Sequence, residues 1–204
     1  MKKVASALLL LPLLGGCIGK SGPVEEYLRV GAGADCQQQA APAKDRVVVA
    51  VRQFKAAESL DRQAVMVARG RVSSPSLRWY WEAAPGKLFE QAVVRGLNCA
   101  PGLAAAWPVR SNTEAGLSIT GSVTVFEIQE QPLALNASAA CQLWDGEGAR
   151  MVDSRAFTAS VPVKALDAQS IADAAAKALE SMGSEAGSWA AAYGRNAQKA
   201  GEGK

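Results

Sequence analysis

The chain is expected to fold as an α+β domain, a mostly antiparallel sheet with two helices packed on one of its faces. Three observations predict this. From Leu117 to Val163 apolar and polar residues alternate, the period of strands half buried in a sheet. Along Leu88, Phe89, Ala92, Val93 and Leu97, and again from Ile171 to Tyr193, the period lengthens to that of a helix with one apolar stripe. The run Val47, Val48, Val49, Ala50, Val51 is apolar and β-branched, the composition of a buried central strand. Helices covering the face of a sheet that would otherwise stay wet satisfy all three.

At the amino end, Lys2 and Lys3 precede an apolar run from Val4 to Leu14 that is too short to span a bilayer, the pattern of a signal-peptide core. It closes in Leu14-Gly15-Gly16-Cys17, which resembles the bacterial lipobox. Residues 1–16 are then the expected signal peptide, Cys17 the expected lipid attachment site, and residues 17–23 a short tether. A diacylglycerol on the thiol and a third chain on the freed amine would anchor the chain durably, which one acyl chain does not. Ile18 is not the Asp that retains such lipoproteins at the inner membrane in enterobacteria. The resemblance therefore implies the outer membrane, with the domain facing the periplasm.

Glu26 to Val30 reads as a first strand and Gly31 to Lys44, without an apolar period, as a loop. The Val47 strand ends near Phe54, and two short strands follow, Ala64 to Arg69 and Leu77 to Trp81. Pro85 suits the first turn of a helix, which stops before Pro101-Gly102. Strands then run through Leu117 to Val125, Leu133 to Trp144 and Met151 to Val161, the last two joined by a turn at Asp145-Gly146-Glu147-Gly148, giving an antiparallel meander. Asp167 is placed to cap a final helix whose stripe is Ile171, Ala175, Ala178, Leu179, Met182, Trp189 and Tyr193. Gly183 and Gly187 are expected to weaken or bend it. Residues 24–195 form a single domain, and 196–204 read as a flexible tail.

With Lys2 and Lys3 removed, the 22 basic residues fall by two to 20, against 19 acidic ones. Such a balance lacks the basic footprint of a nucleic-acid binder, and no nucleic-acid partner is expected. Acylation of Cys17 leaves three of the four Cys, enough for one disulfide and one spare thiol. Cys141 lies on the apolar side of the alternation Leu135, Ala137, Ala139, Cys141, Leu143, a place for a free Cys that behaves as a small hydrophobe. Cys36 sits in the loop and Cys99 just past the helix, so Cys36 and Cys99 are the preferred disulfide pair. The absence of His and the wide Cys spacing argue against a metal site.

The same absence removes Ser-His-Asp and Cys-His arrangements, and no Ser stands three residues before a Lys as in the Ser-Lys hydrolases. Gly31-Ala32-Gly33 lacks the third glycine of a dinucleotide fingerprint, and there is no Walker motif. No catalytic residue and no cofactor is expected. Paired carboxylates need not be close along a chain, so spacing does not test them. The most unusual local feature is Arg78-Trp79-Tyr80-Trp81-Glu82. On a strand Trp79 and Trp81 share one side and Tyr80 takes the other. Core packing against the helix that starts near Pro85 is the favoured reading. The opposite side would still be free to present aromatic surface, which makes Trp79, Tyr80 and Trp81 the candidate partner-binding residues.

Taken in order, Tyr27-Leu28-Arg29, Val47 to Phe54, Leu60-Asp61-Arg62 before a strand ending Ala68-Arg69, and Leu77 to Trp81 form one series. Pro85-Gly86-Lys87-Leu88 opening a helix, the strand Ser118 to Glu127, and the Ala-rich final helix continue it. Together with the lipobox, this series resembles the auxiliary lipoprotein component of ABC-type transport systems, a family that includes the lipoprotein of the paraquat-inducible envelope transport system. The extra Cys residues and the Gly-containing loop after the first strand depart from it. The resemblance implies a fold similar to the amino-terminal domain of the Tol-system protein TolB. It also implies a non-enzymatic, lipid-anchored accessory subunit for moving lipids between the inner and outer membranes. The implied partner is a mammalian-cell-entry-domain protein of an ABC-type or paraquat-inducible transport system, with self-association into a homo-oligomer left open. A second reading, of a different class, is a periplasmic binding module that itself holds a lipid or other amphiphile between sheet and helices.

Overall fold

The computed structural model describes residues 24–31, 46–146 and 148–201, with side chains as far as residue 194. The signal peptide, Cys17, the tether, most of the loop after the first strand with Cys36, Glu147 and residues 202–204 lie outside the described residues.

Eight strands form one sheet: β1 (Glu26–Leu28), β2 (Val47–Ala56), β3 (Ala64–Arg69), β4 (Val72–Trp81), β5 (Leu103–Ala106), β6 (Leu117–Glu130), β7 (Leu133–Asp145) and β8 (Met151–Pro162). Two helices accompany it, α1 (Pro85–Cys99) and α2 (Ala168–Gly201). The α+β class holds, and the meander is there: β6, β7 and β8 pair antiparallel in sequence, from Leu117↔Asp145 to Glu130↔Leu133 and from Ala134↔Pro162 to Trp144↔Met151. The rest of the sheet is mixed. β2 runs parallel to both β5 and β6, β3 runs parallel to β6 and antiparallel to β4, and β4 carries β1 in parallel on its other edge.

Strand β6 organises this arrangement because it is long enough to hold two neighbours end to end. Opposite β7, its first half pairs with β2 (Val49↔Leu117 to Ala56↔Val123), and its second half pairs with β3 (Met66↔Glu127 to Ala68↔Gln129). The β2 register slips between Val51 and Phe54, where Phe54 comes to face Gly121. A Cβ at Gly121 would lie 2.4 Å from the Phe54 ring, so only a glycine lets that ring cross β6 and reach Phe89, 5.4 Å away between centroids.

Both helices cover the same side of the sheet. α1 lies over β2, β5 and β6, α2 lies over β7 and β8 and beside β1, and the helices pack on each other. Between them and the sheet Trp81, Phe126, Phe157, Leu135, Leu143, Leu179 and Met182 are fully buried. The opposite side of β7, represented by Ala140 and Gln142, is exposed. Asp167 caps α2 as expected, accepting from the Ser170 amide at 2.8 Å. The turn before β8 also forms, with the Gly148 amide donating to the Asp145 carbonyl at 2.8 Å.

Two expectations need correction. Gly183 and Gly187 do not interrupt α2, which continues as one helix to Gly201, beyond the point where a flexible tail was expected. Those glycines sit at the crossing with α1 instead: a Cβ on Gly183 would lie 2.4 Å from the Ala92 carbonyl oxygen, and one on Gly187 would lie 2.2 Å from that of Gly96. The cost of glycine within a helix is accepted because backbone meets backbone there. Strand β5, which the sequence does not mark, has no alternation of its own and forms because β2 offers it an edge. Among the described residues no helix is long and apolar enough to cross a membrane.

Candidate functional site

The segment Arg78 to Glu82 does bring its aromatics to a defined place, the end of β4 that carries β1. The expected alternation is observed. Trp81 pairs in register with Leu28, and both point into the core, with the Trp81 ring tilted against Phe126, 4.9 Å between centroids. Its Nε1 is buried without a hydrogen-bond partner. Tyr80 faces the opposite side, half buried, stacked on its register partner Tyr27 at 5.5 Å, and Tyr27 is 59% exposed. Trp79 shares the side of Trp81 but lies nearer the edge and is only partly buried.

Every residue of this segment also holds β1. Trp79 Nε1 and Arg78 Nε donate to Glu26 at 2.9 and 3.0 Å. The Arg78 guanidinium lies over the Trp79 ring at 5.6 Å, and its hydrogen bond is the largest influence lowering the Glu26 pKa. Beyond the strand, the Glu82 carboxylate accepts from the Val30 and Gly31 amides, each at 2.8 Å. Three residues of strand would be a weak attachment by themselves. The side chains of 78–82 clamp it, and with it the point where the chain arrives from residues 17–23.

A second feature was not anticipated. A cleft of about 900 Å3 opens where β2 ends, lined by Arg52, Phe54, Lys55, Gly86, Lys87, Glu90, Trp107 and Arg110 among others. Its organiser is Glu90, a carboxylate 4% exposed on the inward side of α1. It accepts from Lys87 Nζ at 2.6 Å, from Trp107 Nε1, and from the Phe54 amide at 3.1 Å, the amide displaced by the register slip in β2. Burial alone would raise its pKa. The donors Lys87, Phe54 and Trp107 outweigh burial and hold the carboxyl below the usual Glu range. Lys87 in turn lies 4.4 Å from the centroid of the Trp107 ring. Among the described residues Arg52, Lys55 and Arg110 make no ion pair. One sequence signal was available for this cleft: Glu90 falls four residues after Gly86 and three before Val93, a lone charge in the apolar stripe of α1. Nothing in the sequence brings Trp107 or Arg110 to it.

A third cluster pins β8 to α2. Asp153 Oδ2 accepts from Tyr193 Oη at 2.7 Å and Trp189 Nε1 at 2.8 Å, and these donors lower its pKa, with Tyr193 the largest influence. Phe157 meets Trp189 edge-on at 5.6 Å. The Trp189–Tyr193 end of the apolar stripe thus packs against β8. Of the cysteines, Cys99 closes α1 and is disulfide-bonded, while Cys141 is free and buried, with its thiol pushed up to about 12 by burial. Among the described residues no group of three His, Cys, Asp or Glu side chains is arranged to hold a metal ion.

Comparison with known proteins gives a family and a fold. The family model described as the ABC-type transport auxiliary lipoprotein component matches residues 33–186. A crystal structure of a Xanthomonas campestris protein of family DUF330 is similar with a TM-score of 0.66 at 19% identity, covering 87% of this chain and 97% of that one. An uncharacterised protein of known structure reaches 0.62 at 15% identity, covering 80% and 97%. PelC from Paraburkholderia phytofirmans, solved as a dodecamer, aligns with a TM-score of 0.45 at 14% identity, covering 82% and 95%. No curated protein matches the chain in sequence.

Proposed function

Because the chain belongs to the family of ABC-type transport auxiliary lipoprotein components, we propose that it is a non-enzymatic accessory subunit, lipid-anchored through Cys17 at the outer membrane. In this role it docks the periplasmic conduit of a mammalian-cell-entry-type system that moves lipids between the two membranes. The observation that carries the docking role is the aromatic edge: Tyr27 stacked on Tyr80 and left partly open to solvent, with Trp79 partly buried on the other side of the same strand, at the strand nearest the anchor. Rigid aromatic side chains in such a position supply contact area at low entropic cost. The tether of residues 17–23 is short, about 25 Å at most when extended, so this edge works close to its membrane. The alternative, holding an amphiphile between sheet and helices, finds that space filled by Trp81, Phe126, Leu135, Leu179 and Met182.

Two experiments test the proposal. Cys17→Ser should leave the chain without radioactive fatty acid and release it from the membrane fraction; label retained on the variant would sink the anchor assignment. Calorimetric titration with the periplasmic part of a mammalian-cell-entry protein should show binding that Tyr80→Ala or Trp79→Ala weakens by about 2 kcal/mol if either is a hot spot. No binding by the unaltered chain would end the docking role.

A further inference from the structure

The cleft beside Glu90 is not used by the aromatic edge, and cations outnumber carboxylates in its lining. Arg52 and Lys55 come from β2, Lys87 from the first turn of α1, and Arg110 from the loop after β5. Against them the lining holds two carboxylates, Asp61 and Glu90, and Glu90 is already engaged with Lys87, Trp107 and the Phe54 amide. The first turn of α1 carries no acidic residue, so the positive end of the helix dipole adds to the same field. Among the described residues Arg52, Lys55 and Arg110 are thus left without an ion pair around one cavity, with Asp61 the one uncommitted carboxylate against them.

The backbone narrows the kind of anion that fits. β5 ends at Ala106, opposite Ala50, so from Val51 onward β2 has a strand neighbour on its β6 side only. The cleft opens along the other edge. Its cations come from three separate segments rather than from one loop closing on a point charge, and Phe54 and Phe89 are buried in the core behind it. An extended backbone with spaced carboxylates matches an open strand edge flanked by spaced cations.

We propose that this cleft is the seat of an acidic, extended segment of the protein partner, held by Arg52, Lys55 and Arg110 with Trp107 as its aromatic wall. The inference deepens the docking role and rests on it for the partner's identity, while the cleft itself can be tested alone. Lys87 and Glu90 act as positioning residues, since their mutual contact keeps the Trp107 ring in place.

The test uses the full chain in an uncharged detergent and a fluorescein-labelled decapeptide of alternating Glu and Ser, read by anisotropy. The expected result is saturable binding that weakens with salt and falls about tenfold or more in the Arg52→Glu, Arg110→Glu double variant, whose exposed positions leave the melting temperature unchanged. Arg110→Ala alone should give a smaller loss, which guards against a folding defect in the double variant. The idea is overturned if the peptide does not bind, or if charge reversal leaves its affinity unchanged. It also fails if inorganic phosphate or phosphatidylglycerol vesicles displace the peptide at matched charge, since the cleft would then be a general anion or lipid site. Titrating the mammalian-cell-entry partner separates the two claims. Equal partner binding by wild type and double variant would leave docking standing and remove the cleft from it. Peptide binding lost on charge reversal, with no partner bound by wild type, would do the reverse.

Discussion

Replacing Gly96 by Ala sets two effects of opposite sign against each other. In a helix interior Ala is favoured over Gly by about 0.5–1 kcal/mol, so at an open site the variant would be more stable. Here the new Cβ would lie 1.8 Å from the Gly183 carbonyl oxygen and 2.3 Å from its carbon. Both are backbone atoms of α2 and cannot turn aside as a side-chain end would. Relief requires the helices to part by about an ångström or more, given that carbon–oxygen contacts lie near 3.3 Å. Parting them loosens Ala92, Leu97, Leu179, Met182 and Ala186, all buried along the same seam. Overpacking of this kind costs about 1–3 kcal/mol and exceeds the propensity gain, so a net destabilisation of about 1–2 kcal/mol is expected. For a chain of this size that lowers the melting temperature by about 2–8 °C. Circular-dichroism melts of Gly96→Ala and Gly183→Ala measure it. Gly194→Ala serves as the contrast, because its nearest neighbour is the movable end of the Leu103 side chain at 2.9 Å. A Gly96→Ala variant that melts at or above the wild-type temperature would refute the view that these glycines are there for helix approach.

Trp81→Ala should cost about 3–5 kcal/mol through the cavity beside Phe126, whereas Tyr80→Ala, on the half-open side, should cost far less; urea titration of both distinguishes core from surface. Glu90→Ala leaves the Trp107 and Phe54 donors without an acceptor and should lose about 1–3 kcal/mol near neutral pH. The folded-state pKa of Glu90 is lowered, so its stabilisation is present above the unfolded carboxylate value and fades as pH falls through the folded one. Denaturation curves of wild type and Glu90→Ala should therefore converge in acid, and a gap that stays constant to pH 2 would contradict the charge assignment. Peptide mapping without reduction should find Cys36 joined to Cys99, with Cys141 alkylated only after unfolding because its buried thiol stays protonated. A Cys99–Cys141 peptide would show the bridge to be misplaced, and loss of the correct one is expected to cost about 2–5 kcal/mol.

Several features were legible in the sequence because they depend on neighbours a few residues away. The period of Leu135 to Leu143 set a buried side that includes Cys141, Pro85 and Asp167 marked the starts of both helices, and the alternation through Trp79, Tyr80 and Trp81 divided them correctly between two sides. The lipobox-like ending at Cys17 is likewise a local signal, though it lies outside the described residues. Tertiary structure alone decided which strands run parallel, since a period of two is the same in either direction. It alone turned Gly183 and Gly187 from apparent helix breakers into the closest contact between helices, because the reason for them lies on α1. The cleft was the least legible feature. Residues 52–55, 87–90 and 107–110 are each unremarkable in sequence. They meet only because β5 stops short along β2 and α1 starts above the gap, and proximity created by chain crossings leaves no periodic trace in the segments it joins.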